Sequence, residues 1–241
     1  MVKIAVSGAL GRMGQRIISL ALKDTSLKVV FGLESSSHPD IGKKTMGIEV
    51  TADLSRLTEV DCLIDFSIPS ASINNALAAK KYSKGIVIGT TGLSEQDIIT
   101  LKAISQDIPV IFSPNMSIGV NLLFDLIKQA ASMLGDYNVS LYEAHHIHKK
   151  DAPSGTAKKI VSILNEKGFS LKNEDVEVLR EGEIVGDHKI IFESDSDTLE
   201  IFHSAKNRDI FVKGSLAAAK WLKGRIPGFY SMDDVLFKKE K

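Results

Sequence analysis

The stretch "KIAVSGALGRMGQRIISLAL", residues 3–22, joins a short apolar run to a segment of helical periodicity through a glycine-rich turn. "KIAVSG" reads as a buried strand, and "GRMGQRIISLAL" as a helix with Met13, Ile17, Leu20 and Ala21 on one face. Gly8, Gly11 and Gly14 stand at the handover. Glycine lets the backbone turn tightly and come close to a pyrophosphate. The helix start adds unpaired N–H groups and the positive end of its dipole. A dinucleotide fold also needs an acidic residue at the end of its second strand, to hold the ribose hydroxyls. Glu34 follows "KVVFGL" and lies 20 residues beyond Gly14, at the expected offset. The spacing is Gly-x-x-Gly-x-x-Gly rather than the commoner Gly-x-Gly-x-x-Gly, so strand, helix and acidic residue carry the reading together with the glycines.

Outward from this stretch, "LKVVFGLE", "DCLIDFS", "GIVIGT" and "IPVIFS" read as further strands. Between them, "SASINNALAAKKY" is helical with Ile73, Ala76, Leu77 and Lys80 in register, and "SEQDIITLKAIS" is a helix capped by Ser94 ahead of Asp97. Strands alternating with helices predict a Rossmann-like α/β domain, a parallel sheet with helices on both faces. "GTTG", Gly89–Gly92, closes the fourth strand, where open parallel sheets bind ligands. It reads equally as a nicotinamide contact and as an ordinary turn.

The pattern changes after Asn115. "SIGVNLLFDLIKQAASML" is a long helix, "NVSLYEAHH" a strand, and "SGTAKKIVSILNEKG" a helix capped by Ser154 and closed by Gly168. Three strand-like runs follow in succession, which predicts a smaller α+β domain on an open mixed sheet. "RDIFVKGSLAAAKWL" returns to helical spacing and is expected to pack on the first domain. The domain boundaries drawn are 1–116 with 208–241, and 117–207.

Composition narrows the classes. Of 241 residues, 44% are hydrophobic and 25% charged, which suits a globular protein with a real core. The 30 basic and 30 acidic residues cancel, against a nucleic-acid binder working through bulk charge. The chain opens straight into a strand, and no apolar run approaches membrane-spanning length. The single cysteine, Cys62, lies in an apolar run and reads as a buried, inert thiol. These features predict a cytoplasmic protein with no nucleic-acid or membrane partner.

The chemistry concentrates in "EAHHIHKKDAPSGTA", Glu143–Ala157. On a strand through His146, Glu143 and His145 share one side and His146 points to the other. Lys149 follows in a loop, and "PSGT" opens a helix whose N–H groups at Gly155 and Thr156 suit a substrate carboxylate. The strip offers a group titrating near neutrality, a cationic proton donor and an anion cradle. No metal is expected: His145, His146 and His148 have only Glu143 and Asp151 nearby to complete a ligand set. His148 is left out of the site, His188 and His203 read as structural histidines, Trp221 as core, and Arg208 as either a helix anchor or a pocket residue.

With "GALGRMG", "IDFS", "GTTG", "SPNMSIGVN", "GEIVGDH" and "GFYSMDDVL", the strip resembles the bacterial 4-hydroxy-tetrahydrodipicolinate reductases, also called dihydrodipicolinate reductases, of lysine and diaminopimelate synthesis. The resemblance runs in order from Lys3 to Leu236. It implies a dinucleotide-binding domain plus a substrate domain, usually assembled as a homotetramer. It implies that His145 is the catalytic acid/base and Lys149 a proton donor, and that His146, Gly155 and Thr156 bind a small dicarboxylate substrate. NADH and/or NADPH would lie against Gly8, Ala9, Leu10, Gly11, Arg12, Met13 and Glu34, against Gly89, Thr90 and Thr91, and against Ser113, Pro114, Asn115 and Met116. The implied reaction is hydride transfer to a cyclic imine-like substrate, with loss of its hydroxyl as water.

Two departures stand out. Members favouring the phosphorylated cofactor often carry arginine after the acidic residue, where this chain has Ser35. Arg12, Lys43 and Lys44 could compensate in part, so use of both cofactors is expected, with NADH at least as good. The region from Phe169 to His188 is also shorter than in longer members, which leaves open which residues near Arg180 to Gly182 reach the substrate. The rival readings are another dehydrogenase of this layout, such as aspartate dehydrogenase, and a non-catalytic dinucleotide sensor. The first would not be expected to carry the whole histidine strip, and the second has no use for His145 and Lys149.

Overall fold

The computed structural model describes residues 1–237. They fall into two compact units, Met1–Ser117 with the segment from Phe211 onward, and Ile118–Ile210. In chain order the first part comprises β1 (Val2–Ser7), α1 (Arg12–Ala21), β2 (Leu27–Leu33), β3 (Lys44–Thr45), β4 (Ile48–Thr51), β5 (Cys62–Asp65), α2 (Pro69–Lys81), β6 (Gly85–Ile88), α3 (Glu95–Ile104) and β7 (Pro109–Phe112). Then come α4 (Ile118–Met133), β8 (Asn138–His145), α5 (Gly155–Glu166), β9 (Glu177–Arg180), β10 (Asp187–Glu193) and β11 (Thr198–Ser204). The last described elements are α6 (Asp209–Leu222), β12 (Gly228–Tyr230) and α7 (Met232–Phe237).

The sheet of the first unit runs β12-β7-β6-β5-β1-β2-β4-β3. Every pairing is parallel except β3 with β4. Alternation along the strands builds a core on each face. Ile4, Val6, Ile64, Val87 and Ile111 pack with Ile17, Ile18 and Ala21 of α1 and with Val212, Leu216 and Leu222 of α6. Ala5, Leu63, Ile86, Ile88 and Val110 pack on the other side with Ala76 and Ala79 of α2 and Leu101 and Ile104 of α3. From β1 the chain steps to β2 on one side and later to β5 on the other, so a topological switch point lies between β1 and β5. Crevices at such points hold ligands in this architecture.

The unit of residues 118–210 has a four-stranded mixed sheet in the order β11-β10-β8-β9. β10 is antiparallel to both β8 and β11, and β9 is parallel to β8. Leu141, Ile190 and Phe192 pack with Leu123, Phe124 and Ile127 of α4 and Ile160, Ile163 and Leu164 of α5. Phe202 and Ile191 alternate with residues of that core and lie on the sheet's opposite face. Phe202 is 58% exposed there.

Three expectations change. In α2 the buried face is Ser72, Asn75, Ala76 and Ala79, while Leu77 is 49% exposed. The helix turns a polar pair inward because a buried aspartate awaits it, as described below. β3, β4, β12 and α7 were not foreseen: two- to four-residue strands and a six-residue helix carry too little periodicity. β8 ends at His145, and His146 opens a turn whose carbonyl accepts from the N–H of Lys149 at 3.1 Å. The capping box at Ser94 and Asp97, the Ser154 cap and the buried Cys62 are present as read.

Candidate active site

The turn after β1 is made of close approaches. Gly8 has φ +72°, and a Cβ there would stand 2.3 Å from the Phe66 carbonyl oxygen. A Cβ on Gly14 would stand 2.0 Å from the Gly8 carbonyl oxygen, so α1 packs on the turn with no room for any side chain. Gly11 is the N-cap of α1, and no side chain caps that end. Glu34 closes the turn from β2. One carboxylate oxygen accepts the Leu10 N–H at 3.2 Å and the other the Ser35 N–H at 3.1 Å. Ala9 is fully buried beneath the turn, and Arg12 is exposed at the helix start. A bare helix start, glycines that only backbone can replace and a carboxylate at the second strand's end together fit a dinucleotide's pyrophosphate and ribose.

Beside this turn lies a buried hub that sequence reasoning missed. The Asp65 side chain, at the end of β5, accepts from Ser67 Oγ at 2.7 Å, Asn75 Nδ2 at 2.9 Å and Thr90 Oγ1 at 2.9 Å, and from Ser72 Oγ. Asn75 also donates to Ser7 Oγ at 2.8 Å, tying α2 to β1. Of the expected cofactor contacts on "GTTG", Thr90 is turned inward to this hub, Thr91 is exposed, and a Cβ on Gly89 would strike the Phe66 ring at 2.3 Å. In "SPNM", Ser113 Oγ donates to the Asn115 carbonyl at 2.8 Å, and Asn115 Oδ1 accepts from the Ser117 N–H at 2.9 Å. Pro114 is exposed, whereas the Met116 side chain is 2% exposed within the core. Ala9 and Met116 therefore have only backbone to offer a ligand.

In the second unit a polar cluster forms where β8, β9 and β10 meet the start of α5. The Glu143 carboxylate is fully buried. Its oxygens accept from the Ser154 N–H at 3.0 and 3.1 Å and from Arg180 Nη2 at 2.9 Å. Burial pushes this carboxyl up, but the bonds from Ser154 and Arg180 outweigh it and leave the group below the usual carboxylate range. Glu143 Oε2 is 3.7 Å from His145 Nδ1 and 3.7 Å from His188 Nε2. The two imidazoles meet edge to face, with centroids 5.3 Å apart. Burial pushes His145 down, and Lys149 and Arg180 add to this against the pull of Glu143. Burial, with the neighbouring His145, pushes His188 down to about 3. Both rings therefore hold a proton less readily than a free imidazole.

Lys149 Nζ donates to Asp151 Oδ1 and Oδ2 at 2.7 and 2.8 Å. Arg180 Nη2 also donates to the Asp151 carbonyl at 2.6 Å. Ser154 Oγ caps α5 by accepting from the Ala157 N–H at 3.1 Å, and it lies 3.2 Å from His188 Nε2. Gly155 and Thr156 form the first turn of α5, with open space around Gly155. His146 is half-buried, 6.2 Å from the exposed His148 ring. The structure thus brings His145, Lys149 and the start of α5 to one place. It adds Glu143 as the hub, with Arg180 and His188 beside it. His188, read as a structural histidine, is buried and faces Glu143 across the β8–β10 register, a pairing that no local motif announces. Glu143, His145 and His188 place three possible metal-ligand atoms within 4.8 Å of one another. Arg180 already supplies the cation that this carboxylate faces.

Comparison with known proteins agrees over the whole length. Family models described as dihydrodipicolinate reductase, N-terminus, and dihydrodipicolinate reductase, C-terminus, match residues 2–116 and 119–236. The 4-hydroxy-tetrahydrodipicolinate reductase of Aquifex aeolicus is 45% identical over 98% of both chains. The enzyme of that name from Methanocorpusculum labreanum is 39% identical over 98% of this chain and 99% of its own. Among solved structures, the dipicolinate-bound dihydrodipicolinate reductase from Paenisporosarcina sp. TG-14 superposes with a TM-score of 0.84. It is 21% identical, covering 96% of this chain and 97% of its own.

Proposed function

The chain belongs to the dihydrodipicolinate reductase family, and we propose that its reduction of 4-hydroxy-tetrahydrodipicolinate to tetrahydrodipicolinate runs on His145 and Lys149. The enzyme is an NAD(P)H-dependent oxidoreductase of lysine and diaminopimelate biosynthesis. The unit of residues 118–210 binds the substrate: the N–H groups of Gly155 and Thr156 hold one carboxylate, and His146 assists. Support comes from α5, whose first turn offers N–H donors and a positive dipole end. The other unit binds the dinucleotide through residues 8–13, Glu34, residues 89–91 and residues 113–116. When bound, NAD(P)H supplies the hydride.

The net reaction also consumes a proton and expels water. His145 is buried beside the Glu143 carboxylate, with its proton affinity lowered by burial and raised in part by that charge, a setting suited to taking and giving a proton. Lys149, held against Asp151, supplies positive charge next to a dianionic substrate and a proton to the leaving hydroxyl. The observation that carries the reading is that His145 and the start of α5 meet at the buried Glu143 carboxylate, while Lys149, paired with Asp151, lies near enough to lower the proton affinity of His145.

Both cofactors are used, with NADH at least as good. Glu34 points its carboxylate into the turn, Ser35 occupies the following position, and Lys43 is engaged by Asp40 at 2.6 Å. A homotetramer assembles through the substrate unit, whose sheet carries Phe202 and Ile191 on the face away from its helices. The compartment is the cytoplasm, where the reduced dinucleotide is a soluble metabolite.

The deciding experiment follows loss of reduced-nicotinamide absorbance with NADH and with NADPH, the substrate being generated in situ by the preceding synthase. Turnover with substrate-dependent rates is expected. Normal dinucleotide binding without turnover would favour a sensor, and turnover only with an amino acid would favour an aspartate dehydrogenase-like enzyme.

A further inference from the structure

We infer that Glu143 is a positioning residue: its buried carboxylate holds the proton of neutral His145 on Nδ1 and leaves Nε2 as the atom that exchanges a proton with the substrate. This rests on His145 being the acid/base of the reaction and names the atom through which it acts.

Three observations lead there. Glu143 and His145 stand two residues apart on β8 and project to the same face. His145 Nδ1 is buried without a hydrogen-bond partner, and Glu143 Oε2 faces it at 3.7 Å. A buried N–H left unsatisfied costs about 1–3 kcal/mol. An approach of about half an ångström would make a normal bond, and catalytic hydrogen bonds often tighten in this way when substrate arrives. The carboxylate cannot turn aside, because Ser154 and Arg180 fix both oxygens. The neighbouring His188 does not need it, since its Nε2 has Ser154 Oγ at 3.2 Å.

The other end of the imidazole points the same way. Gly186, on the approach to β10, lies so close that a Cβ there would stand 3.0 Å from His145 Nε2. Glycine at this position leaves Nε2 uncovered by a side chain. One ring nitrogen therefore faces a fixed anion, and the other has no side chain from residue 186 against it. Such an arrangement selects a tautomer, orients the ring and stabilises the imidazolium that forms when Nε2 takes a proton.

The groups that face His145 are Glu143 on its own strand, Lys149 and Asp151 from the following loop, Arg180 on β9 and His188 on β10. Glu143 and Asp151 raise its proton affinity, while Lys149 and Arg180 lower it. Neutralising Glu143 removes the larger of the two raising charges, so His145 must titrate lower.

The test uses the full-length enzyme labelled with isotopic nitrogen in histidine, read by proton–nitrogen correlation spectra, with His145→Gln identifying the His145 signals. Wild type is expected to show His145 protonated at Nδ1 with Nε2 as acceptor. Glu143→Gln is expected to lose that preference, to lower kcat by about tenfold or more with KM little changed, and to move the acidic limb of the kcat profile to lower pH. Glu143→Asp, which keeps the charge, is expected to restore part of kcat and return the limb toward its original pH. Wild-type His145 protonated at Nε2 would overturn the inference, and that spectrum needs no variant of Glu143 to fold. An unmoved limb and an unchanged tautomer in folded Glu143→Gln would overturn it equally. Full turnover in His145→Gln would instead remove His145 from the reaction while leaving the tautomer readable.

Discussion

The turn after β1 and the cluster at the end of β8 are both polar sites at the ends of strands, yet they are built from different material. Around Gly8, Gly11 and Gly14 the useful groups are backbone N–H groups, and side chains are excluded because a Cβ on Gly8 or Gly14 would meet backbone within 2.3 Å. Around Glu143 the useful groups are side chains, drawn from β8, β9, β10 and the loop before α5. A backbone site needs steric emptiness, which a few glycines at fixed spacing provide. A side-chain site needs convergence, which only the finished sheet provides. In the reading proposed above, the first takes a phosphate and a ribose. The second sets proton affinities by burial and neighbours, and so decides the chemistry.

The strongest way to break this division of labour is to remove the proton carriers. His145→Ala and Lys149→Ala should each lower kcat by about a hundredfold or more while NADH affinity, measured by fluorescence titration, stays unchanged. A parallel loss of NADH affinity would show that the two sites are not separable. Next comes the buried Asp65 hub of the first unit. Asp65→Ala leaves buried donors on Ser72, Asn75 and Thr90 without their acceptor and should cost about 2–3 kcal/mol by denaturant unfolding. A change within half of one kcal/mol would make the hub dispensable.

Acid then separates the units. His188 has a folded pKa of about 3 against about 6.5 unfolded. Its unfolded form binds the proton first as pH falls, so the stability it contributes is complete above about pH 6.5 and is lost from there toward pH 3. At pH 4.5 the loss is about 3 kcal/mol, and His188→Phe should flatten that part of the stability curve. A curve with the same slope in the variant would assign the acid sensitivity elsewhere. The smallest effect concerns selectivity. Ser35→Arg should improve kcat/KM for NADPH relative to NADH by about tenfold, and an unchanged ratio would place Ser35 away from the 2′-position.

The same contrast explains what could be read from the chain beforehand. The glycine turn, Glu34 and the strand–helix alternation lie within short windows, and each agrees with the structure. Within the strip from Glu143 to Thr156, the shared face of Glu143 and His145 and the Ser154 cap agree as well, because strand alternation and a helix cap are local rules, although the strand stops one residue sooner than read. Arg180 and His188 stand 37 and 45 residues after Glu143, and register alone brings them to it. α2 was rotated in the reading because Leu77 is apolar and Ser72 and Asn75 are not. The preference for apolar burial fails where a buried acceptor such as Asp65 needs donors.

The path of the chain also has a temporal side. β12 pairs with β7, and α6 covers one face of a sheet whose other strands were made much earlier. Between β7 and α6 the ribosome must produce the whole of residues 118–210. At about 5–20 residues per second this takes roughly 5–20 seconds. During that interval the face bearing Ile4, Val87 and Ile111 has α1 but not α6, so a nascent chain carries an open apolar strip while the later unit, contiguous in sequence, completes itself first. Chaperone demand during synthesis should therefore fall on the amino-terminal strands, although they are the first to emerge.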